Sequence, residues 1–143
     1  MDPIETEWRG YRFRSRLEAR WAVLFETLRL SWRYEPEGYE MHDGTKYLPD
    51  FRVDGIGIHV EVKGGRLSRE DEDKLEGFAL GKGPVWLLEE IPAPSAPVQG
   101  TLYAHSLSDS GGGIYRPNPC LAYCSWCGRF VLDFKDTDSR LTE

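Results

Sequence analysis

A chain of 143 residues fits one compact domain with room for a small appendage, not two full domains. Eighteen Lys and Arg face 24 Asp and Glu, a formal charge of -6 that argues against coating nucleic acid by bulk electrostatics. No apolar run nears the roughly 18–20 residues of a membrane span, and three cysteines behind an N-terminus without a secretory layout point to a reducing cytoplasm, not a disulfide framework.

Residues 1–33 carry seven Lys/Arg and five Asp/Glu, so the chain is acidic with a basic start. Arg9, Tyr11, Arg12, Phe13 and Arg14 alternate basic and aromatic side chains. From Ser15 the period changes: Leu17, Trp21, Leu24, Phe25 and Leu28 form one stripe of an amphipathic helix, opened by a Ser15/Glu18 capping box and ending near Arg29–Leu30. Residues 18, 22 and 25 run along the inward edge of that helix, so Glu18 borders the buried face. An acid there is costly unless it is paired or bound to metal.

Strand-like segments follow at 31–34, 39–41 and 47–53, the last with Pro49 near its start or on an edge. His42-Asp43-Gly44-Thr45 and Asp54-Gly55 are turn chemistry. Over 57–63, Ile58, Val60 and Val62 point one way and His59, Glu61 and Lys63 the other. Gly64-Gly65 ends this strand, Ser68 caps a second helix over 69–80, and Val85–Leu88 reads as a buried strand. Pro92, Pro94 and Pro97 mark a linker over 91–113, residues 114–134 form a small cysteine-bearing unit, and 135–143 are a polar tail.

Pro49-Asp50, ten intervening residues, then Glu61-Val62-Lys63 is the central chemical signal. Carboxylates are hard oxygen ligands suited to Mg²⁺, and a hard cation polarises a phosphate and acidifies an attacking water. Asp50 and Glu61 converge if their strands pair through the turn at 54–57. Glu61 and Lys63 share a face, which places Lys63 where it could orient or help deprotonate the water, or stabilise charge on the phosphorane. The Val62 carbonyl is a further candidate ligand. By itself an E-x-K tripeptide is most often a solvated strand face; the preceding Pro-Asp at hairpin distance and the following glycine pair raise its significance.

Arg14-Ser15-Arg16-Leu17-Glu18, Tyr47-Leu48-Pro49-Asp50-Phe51 and Val60-Glu61-Val62-Lys63-Gly64, in this order, resemble the PD-(D/E)XK nuclease superfamily, most closely its small phage or mobile-element endonucleases and Holliday junction resolvases. The resemblance covers about residues 8–90. It implies an α/β restriction-endonuclease-like αβββαβ core with a mixed central sheet over 1–90, and Mg²⁺- or Mn²⁺-dependent hydrolysis of DNA. Asp50 and Glu61 would be metal ligands, Lys63 would position the nucleophile, and Glu18 would join the metal shell or its water network. Glu35 and Glu37 are expected to be loop acids. Arg9, Arg12, Arg14, Arg16 and Arg20 would form a phosphate track, with Trp8, Tyr11 and Phe13 as stacking or wedge surfaces. Phosphate contacts position a duplex without reading its sequence, which suits selection of DNA structure. One active site cuts one strand, so symmetric cutting calls for a homodimer. The other reading is a nuclease-fold subunit, non-catalytic or dependent on a partner in a recombination, transposition or restriction complex.

Cys120, Cys124 and Cys127 have C-x3-C-x2-C spacing, and Cys124-Ser125-Trp126-Cys127-Gly128 is knuckle-like. Such a turn lets two thiolates face one tetrahedral Zn²⁺. Cys120 is the candidate third ligand and His105, or Asp133, the fourth; the alternative is three reduced cysteines in a degenerate knuckle. The chain is too short for the barrel of radical enzymes that share this cysteine spacing. His42 and His59 are poor catalytic candidates, His59 at most peripheral to the site.

Overall fold

The computed structural model describes residues 3–41, 43–93, 96–106 and 113–134. The chain begins with a hairpin of β1 (Thr6–Trp8) and β2 (Tyr11–Phe13), followed by α1 (Arg16–Thr27). Ser15 caps α1: its hydroxyl oxygen accepts the Glu18 N–H at 3.1 Å and its O–H donates to the Glu18 carboxylate at 2.9 Å. The helix stops at Thr27, slightly before the expected Arg29–Leu30, because Arg29 turns left-handed (φ 57°) and the Leu30 N–H bonds back to the Phe25 carbonyl.

β3 (Trp32–Tyr34) follows, then a small separate hairpin of β4 (Tyr39–Glu40) and β5 (Lys46–Tyr47). The strand expected over 47–53 is split. Leu48, Pro49 and Asp50 lie outside any strand, and β6 is confined to Phe51–Val53. Proline has no N–H to donate to a ladder, so pairing resumes only after it. A tight turn at 54–57 leads from β6 into β7 (Ile58–Val62). The second helix, α2 (Arg69–Gly81), is capped by Ser68 as expected, and β8 (Val85–Leu88) is buried at every position.

The stretch expected to be a linker contributes to the sheet. β9 (Thr101–Ser106) pairs antiparallel with β8, and β10 (Gly113–Tyr115) with β9. A mixed six-stranded sheet results, ordered β10-β9-β8-β7-β6-β3, in which β7 and β8 run parallel and the other pairs antiparallel. Gly100 permits the entry to β9: a Cβ there would lie 2.4 Å from the Leu87 carbonyl oxygen. β11 (Cys120–Cys124) and β12 (Arg129–Asp133) form a separate hairpin. His42, residues 107–112 of the predicted linker and the tail 135–143 lie outside the described residues.

Strand alternation sorts the core onto the two faces of the sheet. Ile58, Val60, Val62, Trp86 and Leu88 pack with Phe25 and Ala22 of α1. Val85, Leu87 and Tyr103 pack with Leu75 and Phe78 of α2. Burial of Phe13, Phe25 and Phe51, all fully enclosed, contributes about 1.5–3 kcal/mol each. Arg116 reaches from beyond β10 to Glu72 and Glu76 of α2 and tethers the added strands to that helix.

Candidate metal centre

The carboxylates meet where α1, the loop after β3 and the break before β6 converge. Glu18 and Asp50 are the two buried acids of the described chain, 4% and 8% exposed. The inward edge of α1 dictates the position of Glu18, beside Ala22 and Phe25. Asp50 is held by the interruption at Pro49: its Oδ2 accepts the Val62 N–H at 2.8 Å, so it caps the end of β7 where β6 has not yet begun to pair. The N–H and carbonyl of one strand residue point to the same edge, which turns the Val62 carbonyl toward Asp50 as well.

Carboxylate oxygens of Glu18, Glu35 and Asp50 lie within 4.8 Å of one another. Glu35, expected to be an ordinary loop acid, is thus part of the cluster. Its backbone is left-handed (φ 43°), and its N–H donates to the Asp50 carbonyl at 2.7 Å. Arg14 Nε lies 2.8 Å from Glu35 Oε1, yet that buried oxygen has no aligned hydrogen bond. Tyr34 O–H donates to Glu18 at 3.1 Å.

Glu61 borders the group without belonging to the tight triad. It accepts the Tyr47 O–H at 2.7 Å. Burial pushes its carboxyl up to about 7, against the hydrogen bond from Tyr47. Burial, then the charges of Glu61 and Glu18, hold Asp50 well above the usual carboxylate range, and Asp50 also hydrogen-bonds Glu18. Asp50 and Glu61 are therefore both disfavoured in the ionised form.

Lys63 points elsewhere. Its Nζ lies 2.8 Å from Asp71 Oδ2 in the first turn of α2, and that bond raises its pKa. In this arrangement Lys63 is held as a cation against Asp71. The nearby carboxylates Glu61 and Asp50 act on its charge in the same direction. Asp71 reads in sequence as one of several acids at a helix N-terminus; nothing there singles it out as the lysine's anchor.

The arginine track is uneven. Arg9 pairs with Glu26, Arg12 with Glu5 and Glu7, and Arg14 with Glu35. Arg16 and Arg20 are exposed and have no ion pair among the described residues; neither do exposed Arg66 and Arg69 after the glycine pair. A Cβ on Gly64 would lie 3.3 Å from Leu17 Cδ2, so the glycine loop abuts the start of α1. Phe13 cannot serve as a wedge, since it is wholly buried against Tyr34 and Phe51. Trp8 and Tyr11 contact Trp32, and only Tyr11 counts among the exposed large side chains. His59 sits between Tyr39 and Arg52, its pKa lowered by burial and by Arg52.

The four-ligand zinc site expected from Cys120, Cys124, Cys127 and His105 is not assembled. Cys120 and Cys124 occupy opposite ends of β11, and four strand residues span about 13 Å, too far for one ion. Cys120 bridges Gln99, while His105 lies six residues further along the chain from Gln99, opposite Ile114; Cys124 extends the other way. Asp133 pairs with Cys120, also at the far end of the hairpin. What remains is a two-cysteine turn. The Cys124 thiol is drawn below its ordinary pKa by the Cys127 N–H, then by the Cys127 side chain and the Trp126 N–H.

A groove of about 840 Å³ runs between α2 and the β4–β5 hairpin, bordered by Met41, Gly77 and Leu80, and no member of the carboxylate group lines it. No helix among the described residues is long and apolar enough to cross a membrane. No protein family, characterised protein or solved structure matches the chain significantly.

Proposed function

We propose that the protein is a metal-dependent endodeoxyribonuclease of the PD-(D/E)XK type that hydrolyses phosphodiester bonds in branched or duplex DNA. The observation that carries this reading is the convergence of buried Glu18 and Asp50 with half-buried Glu35, bordered by Glu61, whose charge with that of Glu18 acts on Asp50. An all-oxygen donor set fits Mg²⁺ or Mn²⁺; to serve as a ligand, the Glu35 oxygen would exchange its contact with Arg14 for the cation. The element order α1, β3, β6, β7, α2, β8 is compatible with the αβββαβ arrangement such enzymes share.

A bound cation supplies Lewis acidity at the phosphate and makes water a stronger nucleophile. The protein's own residues then divide the work. Asp50, Glu18 and Glu35 would hold the cation. Glu61, beside this group, would accept a proton from the attacking water. Tyr47 keeps Glu61 oriented toward the cluster. Lys63, released from Asp71 as a phosphate approaches, offsets the charge that builds in the transition state. Arg16, Arg20, Arg66 and Arg69, without ion pairs among the described residues, offer cations to the flanking phosphates, contacts that position DNA without reading bases.

The Lys63–Asp71 contact also favours a second reading, in which a larger recombination, transposition or restriction complex must free the lysine before cleavage. Incubation with Mg²⁺ or Mn²⁺ and linear duplex, single-stranded, flap and four-way-junction DNA separates the two. Cleavage by the wild type, lost in Asp50→Ala and Lys63→Ala, is the expected result. Cleavage unchanged in both variants would refute the site, and an inert wild type activated by a partner would favour the second reading.

A further inference from the structure

The β11–β12 hairpin ends in a feature the nuclease reading leaves unused. Cys124 and Cys127 flank a two-residue loop whose exit, Gly128, is left-handed (φ 66°) and donates its N–H to the Cys124 carbonyl at 2.9 Å. The turn brings the two cysteines to the same end of the hairpin, and hydrogen bonding from the Cys127 N–H, then from the Cys127 side chain and the Trp126 N–H, lowers the pKa of the Cys124 thiol. This is one half of a tetrahedral thiolate site. The chain cannot complete it with like ligands. Its one other cysteine, Cys120, is a strand's length away, and no third His, Cys, Asp or Glu gathers with the pair among the described residues. Between the two cysteines stands Trp126, 98% exposed at the hairpin tip, with Tyr123 also exposed. A large aromatic held in water beside an open half-site is what an interface leaves when its other side is missing.

We propose that Cys124 and Cys127 bind Zn²⁺ together with the same two cysteines of a second copy of this chain, on a two-fold axis that joins the hairpin tips. An isologous contact supplies each ligand twice, so two half-sites give the closed four-sulfur shell that a structural zinc requires. The four thiols release their protons to solvent on binding, and the resulting complex carries two negative charges. Arg129, directly opposite Cys124 in the hairpin register, offsets one of these in each copy. Trp126 of each copy then packs across the axis. The proposal does not depend on nuclease activity.

The test uses the full chain, reduced and stripped of metal, with Zn²⁺ added back. The expected result is one zinc per two chains by elemental analysis and a doubling of mass by light scattering. Co²⁺ in place of zinc should give the intense visible bands of a tetrahedral four-sulfur site. Cys124→Ser and Cys127→Ser should each stay monomeric, while Cys120→Ser should dimerise like the wild type. Thermal unfolding of the metal-free variants checks that they remain folded. One zinc per chain in a monomer, a dimer that survives both knuckle substitutions, or no zinc uptake at about 10 µM metal would each overturn the proposal.

Discussion

The carboxylate cluster and the cysteine hairpin gather their ligand atoms in opposite ways. The first draws Glu18, Glu35, Asp50 and Glu61 from a helix, a loop, a strand break and a strand, and buries Glu18 and Asp50 beside the core. Its ligands have no local reason to be near one another. The fold forces them together against their own repulsion. The second uses two residues three apart in one turn, Cys127 exposed and Cys124 half-buried, with the Cys124 thiol pKa lowered by groups of the same turn. Disturbing the first should change the stability of the whole domain, whereas disturbing the second should change only what the hairpin binds.

That contrast can be broken most directly by neutralising the centre. Asp50→Asn keeps an oxygen to accept the Val62 N–H but removes a buried charge. Cleavage should fall by about 10³-fold or more, as expected when a metal ligand is lost, while the metal-free protein becomes more stable at pH 8, where the buried Asp50 carboxylate is disfavoured by desolvation and by Glu61 and Glu18. Chemical denaturation of wild type and variant decides it, and a large loss of stability would contradict the repulsion argument. Cys124→Ser should move the metal-free stability by less than about 0.5 kcal/mol, the range for exposed substitutions.

Titration sharpens the same contrast. Glu61 and Asp50 hold protons in the folded state that the unfolded chain has already released. Stability present below the ordinary carboxylate range is therefore lost as pH rises, for Glu61 between about 4.5 and about 7. The melting temperature without divalent cation should drop across that window. Mg²⁺ should restore it, with a larger effect at pH 8 than at pH 5, because ligands must shed their protons to bind. A melting temperature that rises with pH would exclude the repulsive centre. The smallest effects belong to the arginines. Arg16→Ala with Arg20→Ala should weaken DNA binding several-fold and reduce its salt dependence by about two counterions. Arg12→Ala should do less, since Glu5 and Glu7 already engage that side chain. Equal effects would mean that the surface ion pairs open freely.

Much of this was legible in the sequence where local pattern and chemistry agree. Ser15 and Ser68 announce their helices, the turn at 54–57 brings Asp50 toward Glu61, and Val85–Leu88 reads correctly as buried. What escaped depends on tertiary partners. Glu35 joins the cluster because its backbone turns left-handed and bonds to Asp50, and neither event leaves a mark on residue type. The Lys63–Asp71 pair needs α2 to dock beside the end of β7. β9 was hidden by the prolines before it, although Leu102 and Tyr103 offered an apolar signal. The cysteine spacing suggested a turn but not that Cys120 lies at the far end of a strand.

The left-handed turn at Glu35 has a consequence for how the chain tolerates change. A non-glycine residue in that conformation costs about 1–2 kcal/mol, so glycine or asparagine at position 35 is the conformationally easier choice. In a variant library, selection for folding alone would enrich those residues there, and selection for cleavage would retain the acid. Position 35 is thus where the two pressures on this sequence point in opposite directions.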